Sequence, residues 1–145
     1  MVIVGRPLFE DYDPEAYAKQ CGIADRVHYL GYVDDGDLPG MYGAAELLAF
    51  PSAYEGFGLP VVEAMACGCP VVCAGGSSLP EAGGDAAIYA DPENPQEFLD
   101  AMVRLMREEE ARRERVEKGL DHAASFTRKR FAKELFRAYG EAMEA

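Results

Sequence analysis

At 145 residues the chain has the size of one domain with a single core. Its 49% hydrophobic and 28% charged residues suit a folded globular protein, and no run reaches the roughly 18 continuous apolar residues of a membrane span. A formal net charge of −12 argues against nucleic acid or an anionic membrane as the main partner, because binding to either rests on basic patches. The N-terminus lacks the charged and apolar regions of a signal peptide, so the expected location is the cytoplasm.

Met1 to Val4 reads as a buried strand, followed by a loop from Arg6 to Tyr12. Asp13, Pro14 and Glu15 open a helix running to about Cys21, with Gly22 as its stop. Val27 to Leu30 is a second strand, on which His28 reads as an ordinary strand residue. Tyr32 and Val33 follow it, at the end where ligands sit in open α/β sheets. They offer main-chain hydrogen bonds and a flat apolar wall to a ligand, or simply form a tight turn before Asp34. Asp37 is a candidate cap for a helix with Pro39 just inside it, reaching about Ala45, and Leu47 to Phe50 is a third strand.

The stretch Phe50 to Gly68 carries the chemistry. A glycine-rich turn, Gly56 to Gly58, leads into a short helix with Pro60 in its first turn. Gly56 and Gly58 can take positive φ and admit a ligand close to the main chain. Free amides ahead of Val61, together with the helix dipole, form a site for phosphate or another anion. Leu59, Val62, Met65 and Ala66 are expected to form the stripe that rests on the sheet. Two carboxylates bracket the amides, Glu55 on the loop and Glu63 in the helix. Taken alone, Glu63 complements a helix N-terminus and Glu55 is a solvated loop residue.

Pro70 to Cys73 is the next buried strand, and Ala74 to Ser78 a flexible polar crossing with no lysine or G-x-G-x-x-G pattern beside its glycines. Leu79, Pro80 and Glu81 open a helical turn that Glu81 is expected to cap, and Ala87 to Ala90 is a last strand. A helix from Asn94 and Pro95 to about Met106 places Phe98, Leu99, Met102, Val103 and Met106 on one face. Glu108 to Lys118 reads as a solvated helix held by local ion pairs. The last helix, Thr127 to Glu144, bears Phe131, Leu135, Phe136, Tyr139 and Met143 as a stripe, which taken alone belongs in a core. The four cysteines, Cys21, Cys67, Cys69 and Cys73, lack zinc-site spacing and read as buried or half-buried reduced thiols.

The run F-P-S-A-Y-E-G-F-G-L-P-V-V-E-A-M-A-C-G-C-P-V-V at 50 to 72 resembles the signature of the retaining nucleotide-sugar glycosyltransferases with two Rossmann-like domains, the group 1 or family 4-like enzymes. R-V-H-Y-L-G-Y-V at 26 to 33, Y-G-A-A-E-L-L-A-F at 42 to 50 and L-P-E-A-G-G-D-A-A-I-Y at 79 to 89 are similar to the same family. The resemblance implies an α/β fold: a Rossmann-like parallel sheet flanked by helices, here a single partial domain over 1 to 145 with C-terminal helices from about 95. It implies transfer of a sugar from a UDP-, GDP- or ADP-sugar with retained anomeric configuration.

Carried over by residue, Glu63 would hold the ribose hydroxyls, and Glu55 would bind the donor sugar and place its anomeric carbon. The main chain of Gly56, Phe57, Gly58 and Leu59 would contact sugar and distal phosphate, with Tyr32, Val33 and Val62 on the base and ribose side. Glu55 is expected to give electrostatic support rather than act as a covalent nucleophile. No metal or other cofactor is expected, although Asp35 and Asp37 have a D-x-D spacing.

Family members carry an N-terminal acceptor domain, and their donor domain opens with a further strand and helix bearing basic residues; their final helix crosses back onto the other domain, so the resemblance implies that part of the Thr127 to Glu144 stripe is exposed here. Against that pattern this chain is expected to be a donor-binding portion, inactive without an acceptor domain or another chain; Arg6 is a poor substitute for the basic residues. The missing strand would be central, leaving two half-sheets, unless Val2 to Val4 pairs with Leu47 to Phe50. The alternative is a non-catalytic nucleotide-sugar-binding or assembly module.

Overall fold

A computed structural model describes residues 1–5 and 13–144. Arg6 and the loop expected from it to Tyr12 lie outside the described residues. The chain divides into two compact units, Met1–Leu38 and Pro39–Ala145.

In the first unit, β1 (Val2–Val4) pairs in parallel with β2 (His28–Gly31), Val2 opposite His28 and Ile3 opposite Tyr29. The register slips after Ile3, so that Val4 faces Gly31. Tyr29 fastens this end by donating its hydroxyl to the Gly5 carbonyl at 2.8 Å. Helix α1 (Pro14–Gln20) starts as the sequence predicts: the Asp13 carboxylate accepts from the Glu15 and Ala16 amides at 2.9 and 3.0 Å. β1 is not the buried strand its composition suggests, since Val2 and Val4 are exposed. Its only described pairing is with β2.

The second unit begins within α2 (Leu38–Ala44), which leads to a three-stranded parallel sheet in the order β3 (Leu48–Phe50), β4 (Val71–Ala74), β5 (Ile88–Ala90). The described strands thus form two sheets, and no pairing joins Val2–Val4 to Leu48–Phe50. The central β4 is buried at every position, which explains its unbroken V-V-C-A run. Its side chains alternate between faces: Val71 and Cys73 enter a core with Val61, Ala64, Met65, Leu79 and Ala82, whereas Val72 meets Phe98 and Leu105. That division places α3 (Leu59–Ala66) and α4 (Leu79–Gly83) on one side, and α5 (Pro95–Arg107) on the other.

Several helical faces differ from the sequence reading. Helix α3 buries Val61, Ala64 and Met65, while Leu59 and Ala66 are exposed and Val62 is half-buried. The i, i+3, i+4 set that wins lies opposite two surfaces, the sheet and α6 (Glu109–Ala124). Helix α6 approaches so closely that a Cβ at Gly119 would lie 3.2 Å from the Met65 Cγ. It is therefore not only solvated, and buries Gly119 and Ala123 beneath its ion-paired outer face, where Lys118 meets Glu114 at 2.6 Å. Helix α5 buries Phe98 and Leu105 rather than Leu99 and Met106, which stay exposed. Along α7 (Arg128–Glu144) the apolar stripe lies outside the core, Phe136 being 77% and Met143 87% exposed. Of the cysteines, Cys69 and Cys73 are buried and Cys67 half-buried, but Cys21 is exposed.

Burial pushes the Cys69 and Cys73 thiols up from 9.0 to about 11, which keeps them protonated and inert. In the unfolded chain they ionise near the ordinary value. Stability from these groups is complete below about pH 9 and is lost as pH rises through about 11. Urea unfolding at a series of pH values should show this alkaline fall. A Cys69→Ala, Cys73→Ala double variant should lose less stability than the parent between about pH 9 and 11.

Candidate functional site

The β3–α3 connection turns at Gly58, the N-cap residue of α3, whose φ is +96°. Two constraints select glycine there. The left-handed backbone disfavours a Cβ, and that Cβ would lie 2.5 Å from Leu79 Cδ2, at the start of α4. Gly56 differs: its φ is not positive, and nothing stands within 4 Å of where a Cβ would project. Of the two flexible positions expected, only one uses that freedom. Pro60 occupies the first turn as predicted, and the Val61 amide donates to the Gly58 carbonyl at 3.0 Å.

Among the described residues, the amides of Gly56, Phe57, Gly58 and Leu59 donate to no other group. They stand immediately before or at the positive end of a helix dipole, so the loop combines unused donors with a favourable field for an anion. Phe57 is fixed by an edge-on contact with Phe126, 5.8 Å between centroids. Phe126 in turn meets His122 edge-on at 5.2 Å, and His122 donates from Nε2 to the Ala82 carbonyl at 2.9 Å. The end of α6 thereby braces the loop through an aromatic relay.

Glu55 is half-buried and Glu63 exposed. The Tyr42 hydroxyl on α2 lies 3.5 Å from Glu63 Oε2, a long contact. Burial, and then the Glu63 charge, push the Tyr42 phenol up to about 12, so it stays a donor toward that carboxylate. The Glu55 main chain is held from the β4–α4 loop. Its amide donates to Ser77 Oγ at 3.2 Å, and its carbonyl accepts from the Ser77 and Ser78 hydroxyls at 2.7 and 2.9 Å.

The structure thus brings together Glu55, Gly56, Phe57, Gly58, Leu59, Val62 and Glu63, all on one loop and the helix it feeds. Tyr32, exposed, and Val33, half-buried, belong to the first unit, directly after β2. Sequence reasoning missed Tyr42, Ser77, Ser78 and the His122–Phe126 relay. Glu81 lies in the first turn of α4 but makes no capping bond, because the N-cap position is Ser78. For the serines the available signal was their place after Gly75-Gly76, since hydroxyls in loops commonly bond to nearby main chain. No group of three His, Cys, Asp or Glu among the described residues lies close enough to hold a metal ion.

Comparison with known proteins turns this geometry into a family assignment. The family model for glycosyl transferases group 1 matches residues 1–122. The chain belongs to this glycosyltransferase family. It is 42% identical over 113 residues to the O-antigen chain mannosyltransferase B of Escherichia coli, covering 78% of this chain and 30% of that protein. It is 31% identical over 148 residues to the D-inositol 3-phosphate glycosyltransferase of Corynebacterium glutamicum (strain R), covering 99% of this chain and 35% of that enzyme. The crystal structure of Anabaena HepE with UDP-glucose superposes with a TM-score of 0.83 and 25% identity, over 97% of this chain and 40% of HepE. The chain therefore spans 30 to 35% of the length of these curated relatives. The expected α/β fold, parallel strands flanked by helices, is the one it shares with glycosyltransferases of known structure.

Replacing Gly58 by Ala should cost about 2 kcal/mol, from the left-handed backbone plus the collision with Leu79. Gly56→Ala, free of both, should change stability by less than about 0.5 kcal/mol. Urea midpoints at constant slope measure both.

Proposed function

We propose that this chain binds a nucleoside diphosphate sugar at the β3–α3 loop and supplies the donor side of a retaining glycosyl transfer. The observation that carries this reading is the row of unused amides from Gly56 to Leu59 at the start of α3, flanked by Glu55 and Glu63. The UDP-glucose bound in the structurally similar HepE supports a nucleotide sugar as ligand.

Each group then has a role that follows from its chemistry. The amides donate to the distal phosphate. As the bond from anomeric carbon to diphosphate oxygen breaks, negative charge grows on the leaving group, so these fixed donors hold the transition state more tightly than the ground state. Glu63, with Tyr42 beside one oxygen, takes ribose hydroxyls on its acceptor lone pairs. Glu55 binds sugar hydroxyls and gives electrostatic support at the anomeric carbon. Val62, half-buried next to Glu63, lies on the ribose side.

No helix among the described residues is long and apolar enough to cross a membrane. The reading places the protein in the cytoplasm, where nucleotide sugars are the donors at hand, and requires an acceptor-binding domain or partner for turnover.

Calorimetric titration with UDP, GDP and ADP should find one nucleotide that binds, and Glu63→Ala should weaken it by roughly 1 to 3 kcal/mol, the loss for a charged hydrogen-bond acceptor. Binding indifferent to that substitution, or no binding to any of the three, would overturn the assignment.

A further inference from the structure

We infer that Ser77 and Ser78 form a main-chain clamp that positions Glu55 for the donor sugar; the inference rests on the donor-site reading above. Ser77 is the one non-glycine among the described residues with positive φ, +57°, a conformation that L side chains rarely adopt. The unusual backbone has a visible result. It accompanies a hydroxyl placed to accept from the Glu55 amide at 3.2 Å while donating to the Glu55 carbonyl at 2.7 Å. One hydroxyl can do both, having one hydrogen and two lone pairs.

Ser78 makes the same point independently. It occupies the N-cap position of α4, where a serine hydroxyl ordinarily serves the amides of its own helix, yet it makes no such bond. Its hydroxyl donates instead to the Glu55 carbonyl at 2.9 Å. Both main-chain polar groups of Glu55 are thus held by hydroxyls from the β4–α4 loop. The carboxylate itself accepts no hydrogen bond among the described residues. A residue fixed by its main chain with its acid group unspent is arranged to present that group to something else.

The same two connections also approach each other at two further points. A Cβ at Gly76 would lie 3.6 Å from the Ala53 carbonyl, and Leu79 backs onto Gly58. The clamp is therefore a defined point within a packed support, and losing one hydroxyl should loosen Glu55 without unseating the loop. Ser77 and Ser78 act through Glu55, so they are positioning residues, and their effect should fall on the sugar rather than on the nucleotide.

The test compares wild type with Ser77→Gly, Ser77→Ala, Ser78→Ala and Glu63→Ala. Hydrogen exchange at the Glu55 amide needs no ligand, and the Ser77 variants should raise it about tenfold relative to wild type, the loss of one protecting bond. Calorimetry with UDP-glucose, GDP-mannose and ADP-glucose, each against its free diphosphate, reads the positioning. The Ser77 variants should lower the preference for sugar nucleotide over diphosphate by roughly threefold to tenfold. Glu63→Ala should weaken both ligands alike.

Ser77→Gly removes the hydroxyl but accepts the positive φ, so it should be no less stable to heat than Ser77→Ala yet share its binding defect. A general loss of structure would not produce that pattern. Unchanged exchange at Glu55 would overturn the clamp. Equal weakening of sugar nucleotide and diphosphate would overturn the positioning role. A wild-type chain that binds none of the six ligands would remove the donor site and, with it, that role, while exchange at Glu55 would still report the clamp.

Discussion

The site depends on one close approach: the Gly58 backbone against Leu79. With φ at +96° and Leu79 Cδ2 where a Cβ would have to go, the chain passes from β3 to α3 through a turn with no room for a side chain at Gly58. Leu79 and Ala82 of α4 are themselves buried beside Val61, Ala64 and Met65 of α3. The same core that stabilises the second unit therefore fixes the loop from beneath. Its amides from Gly56 to Leu59 stay without a partner among the described residues while the apolar side of the junction is occupied, so their placement is a consequence of packing rather than of any ligand.

The proposed site asks an acidic protein to hold an anion. At a net charge of −12 the long-range field opposes a diphosphate, so attraction has to come from donors that act over a single hydrogen bond. Main-chain amides at a helix N-terminus do this without a basic side chain. Tyr42 does related work for Glu63: burial and the neighbouring carboxylate keep its phenol protonated, so the acid has a donor at one oxygen and remains exposed for a second partner. The Phe57–Phe126–His122 relay adds rigidity from the far end of α6.

The sequence made legible the elements whose signals are local. Asp13 before Pro14, Pro60 after Gly58 and the all-apolar Val71–Ala74 each act within a few residues, and each element stands within a residue or two of its expected place. What it hid depends on distant partners. The buried face of α3 is set by α6, and Leu105 is chosen over Met106 by the far side of β4. The α7 stripe has helical spacing yet is exposed among the described residues, a difference that periodicity alone does not reveal. Within the site, Glu55, Glu63 and the glycine turn were readable because they are contiguous. The serines were not, since 22 positions separate Ser77 from the Glu55 main chain it holds.

In the proposed site the amides from Gly56 to Leu59 receive the diphosphate. Amide-resolved nuclear magnetic resonance, with UDP, GDP and ADP added in turn to the labelled chain, tests it most directly. One nucleotide should shift the Gly56, Phe57, Gly58 and Leu59 resonances together, downfield as hydrogen bonds to phosphate form, with Val61 following. Saturable binding whose shifts lie elsewhere, leaving those four amides unmoved, would contradict it.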